Sequence, residues 1–125
     1  MRANAMFAVL LLIGLCSLTC QQLEGDLLRG NWQAAEVLEE GRPLGVDPSL
    51  IRMQFAANGK YTYSSTLNYQ EAGTYYLEDN YLFTTDTLNQ ASTEKTVEII
   101  LLSDDSLHLK MMDTGKERLL KLFRQ

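Results

Sequence analysis

Few residues in this chain are of the kinds that do chemistry. His108 is the one histidine, and it alternates with Leu107 and Leu109, which puts it on the solvent side of a strand. A transition-metal site needs several Cys, His or carboxylate ligands converging, and His108 has no cysteine partner and no carboxylate cluster to complete one. Serines are plentiful, but one exposed histidine does not make a Ser-His-Asp triad. Asp104-Asp105 reads as a turn and not as an acid/base pair. No glycine-rich phosphate loop leads from a strand into a helix. The expectation is a protein that is not an enzyme and takes no metal or cofactor.

The remaining chemistry lies in Cys16 and Cys20, at the end of an apolar run. Residues 5–15 follow Arg2 and suit the core of an export signal, well short of the ~20 residues that span a bilayer. Ser17-Leu18-Thr19-Cys20 resembles a bacterial lipoprotein cleavage site. The resemblance implies that residues 1–19 are a removed signal peptide, that lipid on Cys20 holds the chain to a membrane, and that residues 20–29 are a tether. Gln21 stands where inner-membrane lipoproteins often carry Asp, which points to the outer membrane of the cell envelope. A domain left with no further cysteine must be held together by its core alone. The chain has 125 residues and a net charge of −5, and removing residues 1–19 takes away one positive side chain, Arg2. An acidic domain with no Lys/Arg cluster lacks the footprint of a nucleic-acid binder.

From Gly30 onward the pattern is all-β. Strands are expected at 32–39, 51–56, 60–64, 69–77, 81–85, 96–102, 107–111 and 117–124. Alternation is clear in Ile51, Met53 and Phe55 against Arg52 and Gln54. Asn58-Gly59, Asp79-Asn80, Asp104-Asp105 and Thr114-Gly115 are turn signals. Residues 40–49 are the longest irregular stretch, with Asp47-Pro48 as a cap and first residue of one helical turn. Residues 86–94 form a second long connection. Asp26 could cap a turn carrying Leu27 and Leu28 within the tether. The strand at 96–102 is the most apolar and is expected to be buried on both sides of its centre. Eight strands joined in sequence suit an up-and-down antiparallel meander barrel, which leaves no exposed edge.

Gly30-Asn31-Trp32 on the first strand matches the glycine-any-tryptophan motif of lipocalins. Gly73-Thr74-Tyr75 and Ser106-Leu107-His108-Leu109 look like the corresponding strands of short bacterial lipocalin-like lipoproteins. The resemblance covers about residues 28–124 and implies a calycin-type barrel domain over 30–125. It also implies a basic residue of the last strand, here Arg124, stacked on Trp32, with Gly30 permitting the close approach. That requires Leu120, Leu122 and Arg124 to face inward and Leu119 and Phe123 outward.

In a meander, alternate connections share one end. The turns at 58–59, 79–80 and 104–105 lie with Trp32 at a closed end, and both long connections lie at the other, the mouth. Leu44, Val46, Leu67 and Leu88 are expected to rim that mouth, and Met53, Tyr63, Phe83 and Met111 to point inward beneath it. Two readings remain. One is a carrier of a small apolar molecule, bound weakly and shallowly between the long loops. The other is a barrel filled by Phe55, Tyr61, Tyr63 and Tyr75, serving as a protein-interaction or structural module.

Overall fold

The computed structural model describes residues 24–89 and 93–125. The expected signal peptide and Cys20 lie outside the described residues. One antiparallel sheet contains β1 (Gly30–Glu39), β2 (Arg52–Phe55), β3 (Lys60–Ser64), β4 (Gln70–Glu78), β5 (Tyr81–Asp86), β6 (Glu94–Leu102), β7 (Ser106–Asp113) and β8 (Lys116–Arg124). Each strand pairs with the next, and β8 returns to β1, with Trp32 opposite Arg124 and Glu39 opposite Arg118. The result is a closed eight-stranded meander barrel. A two-residue strand at Arg42–Pro43 folds back on Leu38 and Glu39 within the first long connection. Farther along that connection Asp47 accepts the Ser49 amide at 3.0 Å and caps a 3-10 turn at Pro48–Leu50.

The interior is divided in two. The lower half is solid. Trp32, Phe55, Leu107 and Leu122 are buried there, and Tyr75 packs edge-on to Phe55 at 5.1 Å while its hydroxyl donates to the Ala56 carbonyl at 2.8 Å. Beneath them residues 24–28 form a helical turn that spans Asp26, which pairs with Arg29 at 2.9 Å. This turn lies within the stretch expected as a tether, yet Leu28 is fully buried and seals the end of the barrel. Its carbonyl accepts the Trp32 indole N–H at 2.8 Å.

Arg124 completes the seal. Its guanidinium carbon lies 4.3 Å from the centre of the Trp32 ring. Its nitrogens donate to the carbonyls of Asp104, Arg29 and Leu27. Cation–π attraction and three charge-assisted hydrogen bonds therefore converge on one side chain. Gly30 makes this possible. Its φ is +125°, and a Cβ there would stand 2.6 Å from Arg124 Nη1.

Two expectations about strand faces are corrected. The centre of β6 is not buried on both sides, because Ile100 and Leu101 are 49% and 43% exposed. A bulge between Ile99 and Leu101 inserts one extra residue opposite β7 and turns the side chains that follow. Phe83 points outward. Leu82, Thr84 and Asp86 are the inward residues of β5, and Phe83 stacks on Tyr76 at 4.8 Å with an interplanar angle of 10°. Tyr81, Leu82 and Phe83 are consecutive and apolar, so either face of that strand could have been the core face.

Candidate functional site

The upper half of the barrel is a cup of about 530 Å³. Its wall carries Met53, Tyr61, Leu82, Val97, Leu109 and Leu120, inward residues of β2, β3, β5, β6, β7 and β8. This volume falls in the range of sites for small molecules. The tyrosines therefore do not fill the barrel: Tyr75 and Phe55 occupy the closed half, while Tyr61 and Tyr63 stand in the wall of the open half.

Charged groups ring the cup. Glu71, on β4, is the buried one. Its Oε1 accepts the Tyr61 hydroxyl at 2.9 Å, and its Oε2 accepts the Tyr69 hydroxyl at 2.7 Å and Lys95 Nζ at 3.0 Å. Burial and the Glu71 carboxylate together push the Tyr61 hydroxyl far above its ordinary pKa. The hydrogen bond to Glu71 pushes Tyr69 up to about 12. Across the cup Arg118 is held between two carboxylates, with Nε at 2.9 Å from Glu39 and Nη1 at 2.7 Å from Asp113. The hydrogen bond from Arg118 keeps the Glu39 carboxyl below its ordinary value, with help from Lys116.

Asp86 ties down the start of the second long connection. Its Oδ1 accepts the Leu88 amide at 3.0 Å, and its Oδ2 accepts Asn89 Nδ2 at 2.7 Å. Burial opposes ionisation, yet the hydrogen bonds from Asn89, Leu88 and Ala72 prevail and hold the carboxyl below 3.8, its ordinary value. The unfolded chain therefore binds more protons than the folded one in this range. The stabilisation is complete above about pH 4 and is lost as pH falls through the lower, folded value. Asp86→Asn should accordingly flatten the acid limb of stability. Urea midpoints measured from about pH 6 to about pH 2.5 check it, and an unchanged slope would contradict it.

Of the rim and wall residues read from sequence, Met53, Tyr63 and Met111 line the cup. Val46 packs against the core from the first long connection, and Leu44 is half-buried in the same connection. Leu67, at φ +60°, is 97% exposed and projects away from the interior. Leu88 lines a groove of about 550 Å³ on the outer face, beside Gln54, Thr62 and Gln70. Most of that groove is lined by exposed outward residues, and Trp32, Met53 and Glu71 border it from the barrel wall. Glu71, Lys95, Asp113 and Arg118 were missed by sequence reasoning. Glu71 was within reach: Tyr63 faces it across β3 and β4, and it shares a strand face with Gly73 and Tyr75.

The barrel is similar to solved structures. A lipocalin-like protein from Bacteroides uniformis superposes with a TM-score of 0.60 at 15% identity, over 79% of this chain and 99% of that one. The fold is lipocalin-like. An uncharacterized protein from Bacteroides eggerthii gives 0.59 at 18% identity, over 78% and 99%. No family model and no curated protein sequence matches the chain. At these identities the likeness extends to the fold alone. Among the described residues no helix is long and apolar enough to cross a membrane.

Proposed function

We propose that this lipocalin-like protein binds a small, largely apolar molecule in the cup and performs no catalysis. The observation that carries the reading is the division of the interior: a solid, sealed lower half beneath an open cup with an apolar wall and a few fixed polar groups at its rim. His108 pairs with Lys121 on the outer face of β7 and β8, away from that cup. Burying about 100 Å² of ligand gives only about 2.5 kcal/mol before association costs, so binding is weak unless a polar contact adds to it. An apolar fluorescent probe should brighten on the purified protein at micromolar concentration. Met53→Trp should abolish the signal by filling the wall, with the fold intact by circular dichroism. A probe that stays dark up to high micromolar concentration would remove the carrier reading.

A second reading has an observation of its own. The stacked pair Tyr76 and Phe83, with Tyr81 beside it on β5, presents exposed aromatic surface outside the barrel. That face suits a protein-interaction or structural module of the envelope.

We further propose that the mature chain is anchored at the cell envelope, in the outer membrane, through lipid on Cys20. Support comes from the apolar stretch 5–15, the sequence Ser17-Leu18-Thr19-Cys20, and Gln21 after it. Residues 24–28 sit at the sealed end, so a lipid on Cys20 would leave the mouth facing away from the membrane. Cys20→Ser should move the protein from the membrane fraction to the soluble one. A native chain already soluble and starting elsewhere than Cys20 would end the anchor proposal.

A further inference from the structure

The cup holds an unequal ion pair. Glu71 is fixed: its side chain is 10% exposed, it sits in the wall of β4, and each of its oxygens accepts a tyrosine hydroxyl. Lys95 is the opposite. Its side chain is 54% exposed, and its ammonium meets Glu71 Oε2 at 3.0 Å from the rim. The negative charge is therefore built in, and the positive charge is held on a flexible stem that can swing into water. The other cation in the wall, Arg118, is engaged by Glu39 and Asp113 together.

We propose that the cup selects amphipathic molecules carrying a protonated amine, whose ammonium group replaces Lys95 on Glu71 while the apolar portion lies against Met53, Val97 and Leu109. This rests on the reading of the cup as a ligand site and names the class of ligand. The exchange conserves charge. One ammonium leaves the buried carboxylate for water as another arrives, so Glu71 is never left unpaired, which would be costly. The Tyr61 and Tyr69 hydroxyls keep donating to the carboxylate throughout. An incoming carboxylate has no such route. Drawing Lys95 to itself would strand Glu71 beside a second negative charge, and Arg118 would have to abandon two partners.

Displacement of the apolar probe by octylammonium, octanol and octanoate at neutral pH tests this. Octylammonium should displace the probe at about one tenth the concentration octanol requires, and octanoate should be weakest. Glu71→Gln, which keeps an acceptor for a tyrosine hydroxyl, should bring the amine-to-alcohol ratio to about one. Lys95→Met, a change at an exposed position, should raise that ratio by removing the resident competitor. Equal displacement by amine and alcohol in the native protein would overturn the inference and leave the carrier reading standing. So would a preference for octanoate, or an amine preference that survives Glu71→Gln. Failure of the probe and all three compounds to bind would overturn both.

Discussion

Replacing Trp32 by alanine should lower the stability of the barrel by about 3–5 kcal/mol. The indole is buried at the point where three elements meet: the turn at 24–28, the start of β1 and the end of β8. Its loss opens a cavity above Leu28 and removes the N–H that satisfies the Leu28 carbonyl. It also takes away the ring over which Arg124 stands. A small domain has only about 5–15 kcal/mol in all, so the variant should sit near its unfolding midpoint under mild denaturant. Trp32→Phe separates the contributions. It keeps most of the apolar volume and leaves the carbonyl unsatisfied, and its cost should be about 1–3 kcal/mol. Trp32 is the chain's one tryptophan, so the measurement must use circular dichroism and not its fluorescence. A loss under about 1 kcal/mol for Trp32→Ala would contradict the account of the sealed end.

Gly73→Ala should be the most damaging single-methyl change. A Cβ at Gly73 would lie 1.8 Å from the Thr85 carbonyl oxygen, 2.9 Å from its carbon and 3.1 Å from the Asp86 Cα. All three are backbone atoms of β5, so no side chain can rotate out of the way. The strands must separate where Gly73 pairs with Asp86, which carries the hydrogen bonds of the second long connection. Overpacking of this kind costs about 1–3 kcal/mol and more when backbone must yield, and a loss of at least about 3 kcal/mol is expected. Gly45→Ala is the control, since a Cβ there meets nothing within 4 Å. Its midpoint should move by less than about 0.5 kcal/mol. Comparable losses at the two positions would show that the close approach of β4 to β5 is not the cause.

The strand count and the order of the barrel were legible because period-two alternation and turn chemistry are local. Asn58-Gly59 and Asp79-Asn80 carry their backbone requirements in their own side chains, with Gly59 at φ +77° and Asp79 at +54°. The direction of individual side chains was less accessible. Tyr81-Leu82-Phe83 offers an apolar residue to both faces, and register with Tyr76 decides between them. The extra residue in β6 has no local mark, because Ile99, Ile100 and Leu101 are nearly equivalent as side chains. Leu28 was unreadable for another reason. Its burial depends on Trp32 above it and on Arg124, which donates to the neighbouring Leu27 carbonyl from 97 positions away. The inward direction of Glu71 was readable from its strand, but its set of partners was not, since Tyr61, Tyr69 and Lys95 come from three different parts of the chain.

The seam between β1 and β8 also sets a clock. The two strands that close the barrel are the first and the last to be made, and Arg124 and Gln125 reach back 92 to 97 positions to Leu27, Arg29 and Gln33. Contacts between neighbouring strands form early and cheaply, but this one requires nearly the whole chain to be in place. Folding with such distant pairings falls in the millisecond-to-second range typical of all-β domains, with closure as the slow event. Until it occurs, β1 and β8 both present open edges that can pair with another molecule. The same contact that makes the finished barrel edgeless thus leaves every incomplete chain with two sticky margins, and the time spent in that condition governs how much of it aggregates.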